Sequence, residues 1–353
     1  MDKFLQSVED PKRPFLGPNY WFLKKIGFIV PDNKLGKYID IFIHEIAAFF
    51  VFTQYVELYI IRSDLSLVVT NLQISMLSVV CVVKANTYIW WQKRWRELFD
   101  YITAADGIER NSNDPSRLRI VDRYTKYCRI FTFNYWMLLF ITFWTTSLTP
   151  LMRYVSSESY REELRNGTEV FPHIFSSWVP FDKYKSPGCW ITVVWHLALC
   201  AYGALTMSAY DTSITVVMVF FGGKLDLLRE RCRQMLGTHG VPVTVHEAAS
   251  NIRELHHIHV DLMKYSRLFD SMLSPVMFVY IVLCSMMLCA TAYQLTSDTN
   301  AAQKVLLGEY LVFGITQLFI FCWHSNDVFL KYQNAMMGPY ESQWYDATPA
   351  QRK

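Results

Sequence analysis

Residues 272–293 read MLSPVMFVYIVLCSMMLCATAY, 22 positions without one charged side chain. An α-helix rises about 1.5 Å per residue and the hydrocarbon core of a bilayer is about 30 Å thick, so a run of this length crosses it once. Five more stretches share this character, at about 38–61, 65–83, 130–149, 189–221 and 304–323. The 189–221 stretch is longer than a crossing requires and projects past the membrane. The chain reads as an all-α protein, a polytopic transmembrane helical bundle with six spans. Its work then lies in transport, conduction or reception.

Composition agrees. Of 353 residues, 52% are hydrophobic, 16% are aromatic and only 18% are charged, fewer charges than a soluble domain usually carries. The net charge is only +3, and nothing in the chain points to nucleic acid. The opening MDKFLQSVEDPKRPFLGPNYW is polar and broken by prolines, unlike a cleavable signal, so the first span acts as the insertion signal.

Lys and Arg collect in cytoplasmic loops. Segment 1–37 holds 7 of them, 91–129 holds 9, 222–270 holds 7 and 326–353 holds 3, which is 26 of the 34. The opposite side holds 7: Arg62, Arg153, Arg161, Arg165, Lys183, Lys185 and Lys304. Lys84 stands at a span boundary. This distribution predicts a cytoplasmic N-terminal segment, 1–37, and a bundle over 38–323. The bundle has cytoplasmic loops 84–129 and 222–271 and an extracellular loop 150–188. A cytoplasmic linker, 324–353, follows. The outer loop carries Asn166-Gly167-Thr168, an N-glycosylation acceptor pattern.

Two amphipathic segments extend the cytoplasmic side. Trp91, Trp95, Leu98 and Ile102 share one helical face among basic residues. That face suits either a helix along the inner leaflet or a helix buried in protein. Ile252, Leu255, Ile258, Leu262, Tyr265 and Phe269 recur at three- and four-residue spacing. Few breakers separate them from 272–293, so one long helix is expected to descend from the fifth span.

Enzyme chemistry finds no foothold. There is no Gly-rich phosphate loop and no Gly-x-Ser-x-Gly elbow, and no cofactor is implied. The eight cysteines show no paired metal spacing, and most lie where thiols stay reduced. His256, His257 and His259 lack the four-residue spacing of a helical metal site and read as a solvated face, so no metal site is assigned. Asp122-Arg123-Tyr124 matches a signature of G-protein-coupled receptors, but here it precedes the third span instead of closing it. It is a chance match. Ionisable residues inside spans are costly and often functional. They are Glu45, Glu57, His196, Asp211 and Glu309, with Asp40 and His44 spaced to pair. No internal repeat relates the two halves, which weighs against a secondary transporter.

The C-terminal region is the most specific part. Phe321-Cys322-Trp323-His324-Ser325-Asn326-Asp327, then Tyr340-Glu341-Ser342-Gln343-Trp344-Tyr345 and Pro349-Ala350-Gln351-Arg352-Lys353, resembles the end of the sixth helix and the linker after it in insect odorant receptors. Leu23-Lys24-Lys25-Ile26-Gly27-Phe28-Ile29-Val30-Pro31 is similar to their N-terminal segment. Asp327 stands where that family's motif has a glutamate. The resemblance implies a plasma-membrane, multi-pass odorant receptor. Such a receptor is the ligand-binding subunit of an odorant-gated, non-selective cation channel formed as a hetero-tetramer with a shared co-receptor subunit. It also implies a seventh, pore-lining helix, which is expected to follow Lys353 and is not in the sequence. A gustatory-type channel subunit has the same layout, with its distinguishing motif in that helix. A G-protein-coupled seven-span receptor needs an external N-terminus, against the charge count.

By the same resemblance, a small volatile apolar odorant sits in the outer half of the bundle. Matching depth assigns Thr70 and Gln73 on the second span, Phe140, Phe143, Trp144 and Ser147 on the third, Val194, Trp195 and Ala198 on the fourth, and Gly308 and Tyr310 on the sixth.

Overall fold

The computed structural model describes residues 10–31, 33–166, 173–238, 241–296, 301–342 and 344. Among these, the chain is helical apart from connecting segments and one two-residue hairpin. The order is α1 (Gly17–Lys25), α2 (Lys34–Ile60), α3 (Leu65–Trp90), α4 (Gln92–Arg110), α5 (Pro115–Ser156), α6 (Glu158–Asn166), α7 (Gly188–Gln234), β1 (Gly237–Thr238), β2 (Val241–Pro242), α8 (Val245–Thr296), α9 (Ala301–Met336) and α10 (Gly338–Glu341). β1 and β2 pair antiparallel, Gly237 with Pro242 and Thr238 with Val241.

Local chemistry sets the helix starts. Asn33 accepts a hydrogen bond from the Leu35 amide at the head of α2, and Asp114 accepts one from the Ser116 amide at the head of α5, where Pro115 opens the first turn. Thr244 and Glu247 form a reciprocal capping box before α8. The Glu247 carboxylate accepts from the Thr244 amide, and the Thr244 hydroxyl accepts from the Glu247 amide. From there α8 runs unbroken for 52 residues through Pro275, joining the amphipathic 245–270 segment to the fifth span as its spacing predicts.

Among the described residues, five helices are long and apolar enough to cross a membrane: α2, α3, α7, α8 and α9. α5 carries the remaining predicted stretch, 130–149, over a length of 42 residues. Its Thr, Tyr, Trp and Asn residues dilute its hydropathy, yet it packs lengthwise against α7. The helices overrun the predicted spans because hydropathy marks the length in contact with lipid, whereas the hydrogen-bond ladder continues into the aqueous layers.

α7 is the axis of the bundle. It packs against α1, α3, α5, α8, α9 and α10, and nearly every residue from Thr206 to Leu228 is buried, as a helix surrounded by others must be. Close approach on α7 requires glycine at 223, where a Cβ would lie 2.4 Å from a Tyr124 ring carbon. Large apolar side chains instead cover the outward faces of α2 and α9. Phe42, Phe49 and Tyr59 of α2 are exposed, as are Val305, Val312, Phe319 and Trp323 of α9. Polar residues such as Gln54, Asn71 and Gln73 are buried. Apolar outside and polar inside is the distribution of a bundle solvated by lipid.

α4 settles the choice its pattern left open. Trp95, Leu98, Phe99 and Ile102 are all buried in protein. Trp95 stacks on Tyr88 of α3 with ring centroids 4.5 Å apart, and Tyr88 stacks on Phe28 at 5.0 Å. Tyr101 stacks on Tyr265 of α8 at 3.9 Å. Charge closes the same region. Glu109 receives Arg117 at 2.6 Å, Arg231 at 3.1 Å and Lys224 at 3.3 Å. Burial pushes the Glu109 carboxyl up, but Lys224, Arg117 and Arg231 outweigh it and hold it below the usual range.

Candidate functional site

A cavity of about 130 Å³ lies inside the bundle, walled by α2, α3, α5, α7, α8 and α9. Its surface is overwhelmingly carbon: Phe50, Leu77, Phe143, Phe313 and Met287 contribute, with Gln73 and Tyr310 among the polar groups. On α5 the lining positions are Leu139, Thr142, Phe143 and Thr146, the i, i+3, i+4, i+7 spacing of one helix face.

The segment after residue 172 covers the cavity. Ile174 and Phe175 reach into its wall. Backbone and side chain hold them there. The Trp178 amide donates to the Thr53 carbonyl at 3.1 Å, and Asn71 Nδ2 donates to the Ser176 carbonyl at 3.1 Å. Lys183 pairs with Glu57 of α2 at 2.7 Å and also donates to the Ser177 carbonyl at 3.0 Å. Ser177 and His196 share a hydrogen bond of 2.9 Å. His173 Nε2 meets the Lys183 carbonyl at 3.0 Å, so that nitrogen carries the proton. Burial, reinforced by the Lys183 charge, lowers the His173 pKa, although the Lys183 carbonyl and Glu57 oppose it.

Met207 of α7 forms part of the cavity wall on the side facing a buried ion pair. Lys84 Nζ lies 2.6 Å from Asp211 Oδ1 and 3.4 Å from the Met207 sulfur. The other Asp211 oxygen accepts from the Tyr135 hydroxyl, at 2.6 Å, and from Gln317 Nε2. Gln317 Oε1 accepts from Tyr280 at 3.0 Å. The ring of Tyr280 lies 4.9 Å from the ammonium. One charge pair thus ties together α3, α5, α7, α8 and α9. Two desolvated charges in apolar surroundings persist only when their remaining hydrogen-bonding capacity is filled, and here both are well supplied.

The structure sorts the residues assigned by depth. Gln73, Phe143 and Tyr310 line the cavity together. Ser147 is buried on the Phe143 face of α5 and reaches Cys200, a lining residue. Thr70 lies one turn before Gln73 and accepts from Gln294 at 2.8 Å. Phe140 and Trp144, 56% and 45% exposed, stand on the outward face of α5. Val194, Trp195 and Ala198 are exposed on α7, with the Trp195 ring edge-on to Phe50. Gly308 lies outside the cavity lining and has open space where a Cβ would be. Asn166 is exposed at the end of α6, and Gly167 and Thr168 lie outside the described residues, as do Gln343 and 345–353 of the C-terminal run. Asp327 of that run pairs with Lys331 at 3.0 Å. Asp40 and His44 do not pair. His44 bonds the Tyr202 hydroxyl at 2.6 Å, and Asp40 lies against Gly27, whose φ is +83°. His256, His257 and His259 are exposed on α8.

Depth alone missed Phe50, Phe175, Tyr202 and Met207, all in the wall. The α5 face was recoverable from its 139/142/143/146 spacing. Lys84, placed at a span boundary, lies inside α3, which continues to Trp90. Its partner is 127 residues away on another helix, beyond any local signal.

The sequence and the fold have known relatives. Residues 64–353 match the family model described as 7tm Odorant receptor. The chain is 24% identical over 311 residues to Odorant receptor Or2 of Anopheles gambiae, covering 85% of this chain and 76% of the relative. It is 27% identical over 175 residues to Odorant receptor 10 of Aedes albopictus, covering 49% and 46%. In fold it is similar to the insect olfactory receptor OR5 from Machilis hrabei. The TM-score is 0.76 at 16% identity, covering 94% of this chain and 85% of that one. The same receptor in complex with eugenol aligns with a TM-score of 0.74. The chain is a multi-pass membrane protein and belongs to the 7tm Odorant receptor family.

Proposed function

We propose that this chain is the odorant-binding subunit of a ligand-gated cation channel in sensory neurons, assembled with a shared co-receptor subunit, and that the odorant occupies the cavity between Gln73, Phe143 and Tyr310. The cavity carries this reading. It is interior and mostly apolar with a few polar groups, the balance that suits a volatile ligand. The related receptor solved with eugenol supports a small odorant as the ligand class. The function is reception, not enzymatic turnover. The 26-to-7 charge distribution supports a cytoplasmic N-terminus, an extracellular 150–188 loop and a glycan at Asn166.

Binding shifts the channel only through higher affinity for the open state. Met207, shared between the cavity wall and the Lys84–Asp211 junction, is the route by which an occupied cavity reaches five helices. The receptor is co-expressed with the co-receptor and currents are recorded across an odorant panel. Odorant-evoked cation currents that need both subunits support the proposal. Odorant responses that persist without the co-receptor and pass through G proteins contradict it. An N-terminal tag stained on unpermeabilised cells overturns the topology.

A further inference from the structure

We propose that the cavity selects ligands that donate a hydrogen bond, small alcohols and phenols of about one ring, because Gln73 presents it with an acceptor of fixed orientation. The inference rests on the cavity being the odorant site. Gln73 is 3% exposed and lines the cavity. Its Nε2 donates to Thr291 Oγ1 of α8 at 2.8 Å. Thr291 in turn donates to the Met287 carbonyl at 2.8 Å.

The direction of this chain follows from counting protons. A hydroxyl has one hydrogen. Thr291 gives it to a carbonyl that can only accept, so toward Gln73 its oxygen is an acceptor. The amide must therefore turn its NH₂ toward Thr291. The flipped amide would set two oxygens against Thr291 with one proton between them. Gln73 Oε1 is consequently left over, and no donor among the described residues reaches it.

No other wall hydroxyl bonds it: Tyr202 pairs with His44 at 2.6 Å, and Thr146 accepts from Tyr310 at 3.2 Å. Ser78 and Thr142 donate to carbonyls of their own helices at 3.1 Å. An alcohol or phenol satisfies Oε1. An isomeric ether covers it with carbon and leaves a buried acceptor unpaired, which is penalised far more than a change of apolar contact. The volume of about 130 Å³ is close to that of engineered apolar cavities of about 150 Å³ that take up benzene, which sets the size at one ring.

Benzyl alcohol and anisole share one molecular formula and differ in the O–H. Their apparent affinities are measured by ligand-induced thermal stabilisation of the purified receptor in lipid nanodiscs, and each variant's ratio is compared with wild type so that lipid partitioning cancels. Wild type favours benzyl alcohol. Gln73→Met, similar in volume without the acceptor, lowers the alcohol-to-ether ratio about tenfold or more. Thr291→Val frees the amide to offer its NH₂ to the cavity, so the ratio falls through a gain in anisole affinity. Thr291→Ser keeps the hydroxyl and keeps the ratio. A ratio unchanged in both Gln73→Met and Thr291→Val overturns the inference, as does a lack of benzyl alcohol binding to wild type. Ala204→Phe separates the two levels. If it abolishes binding of both probes while the ratio ignores Gln73, the cavity reading survives and the ligand class fails. If it leaves both bound, the cavity reading fails and the ligand class with it.

Discussion

The Lys84 ammonium lies 3.4 Å from the sulfur of Met207, and Met207 is part of the cavity wall. A ligand against that wall is therefore one side chain away from the charge pair that binds five helices. Removing one partner of a buried pair leaves an uncompensated charge and costs about 3–5 kcal/mol. Lys84→Met and Asp211→Leu each lower the melting temperature of the purified receptor sharply. The double variant recovers most of the loss because no charge is stranded. Additive losses in the double variant contradict a coupled pair.

The faces of α5 give a functional contrast. Phe143→Ala opens the cavity wall and changes the order in which odorants activate the receptor. Phe140→Ala and Trp144→Ala act on the outward face and scale all currents alike. The readout is the rank order across an odorant panel. A reordering by Trp144→Ala equal to that of Phe143→Ala places ligand outside the cavity.

The cover segment should respond to acid. Burial and Lys183 lower the His173 pKa, so the folded form favours the neutral ring. The stability this contributes is complete above the unfolded value of 6.5 and declines as pH falls below it. Protection factors of the 173–185 amides, which are exchange rates corrected for the intrinsic effect of pH, therefore fall between pH 7.5 and 5.5. Glu57→Gln, which removes the Lys183 charge partner, lowers them at both pH values. Protection factors that are independent of pH contradict the assignment.

Glu109 behaves in the opposite sense. Its carboxyl is held below the ordinary 4.5 by Lys224, Arg117 and Arg231 despite burial. Its contribution is present above that value and is lost as pH falls through the lower folded pKa. Glu109→Gln leaves three cations without their shared anion and costs about 3 kcal/mol or more, read as a lower melting temperature at neutral pH. The loss shrinks in strong acid, where the wild-type carboxyl is itself protonated.

The spans were legible because lipid demands long apolar runs, and α8 was legible because its helical spacing passes through two solvents without a break. The depth of the cavity could be inferred as well, but its faces could not be separated by depth. Phe143 and Trp144 are adjacent in sequence and point about 100° apart. Asp211 stood out as a charge within a span. Lys84 did not, because the charged residue itself ends the apolar run that would have placed it inside. Asp40 and His44 had the spacing of a pair, but Tyr202 from α7 takes the histidine. Tertiary contacts of this kind leave no periodic trace in the chain.

The most direct test is a cryo-EM map of the assembled receptor with the odorant that evokes its largest current, compared with the unliganded map. Ligand density bounded by Gln73, Phe143 and Tyr310, beneath Ile174 and Phe175, is the predicted result. An empty cavity with ligand density elsewhere on the chain or its partner would contradict it.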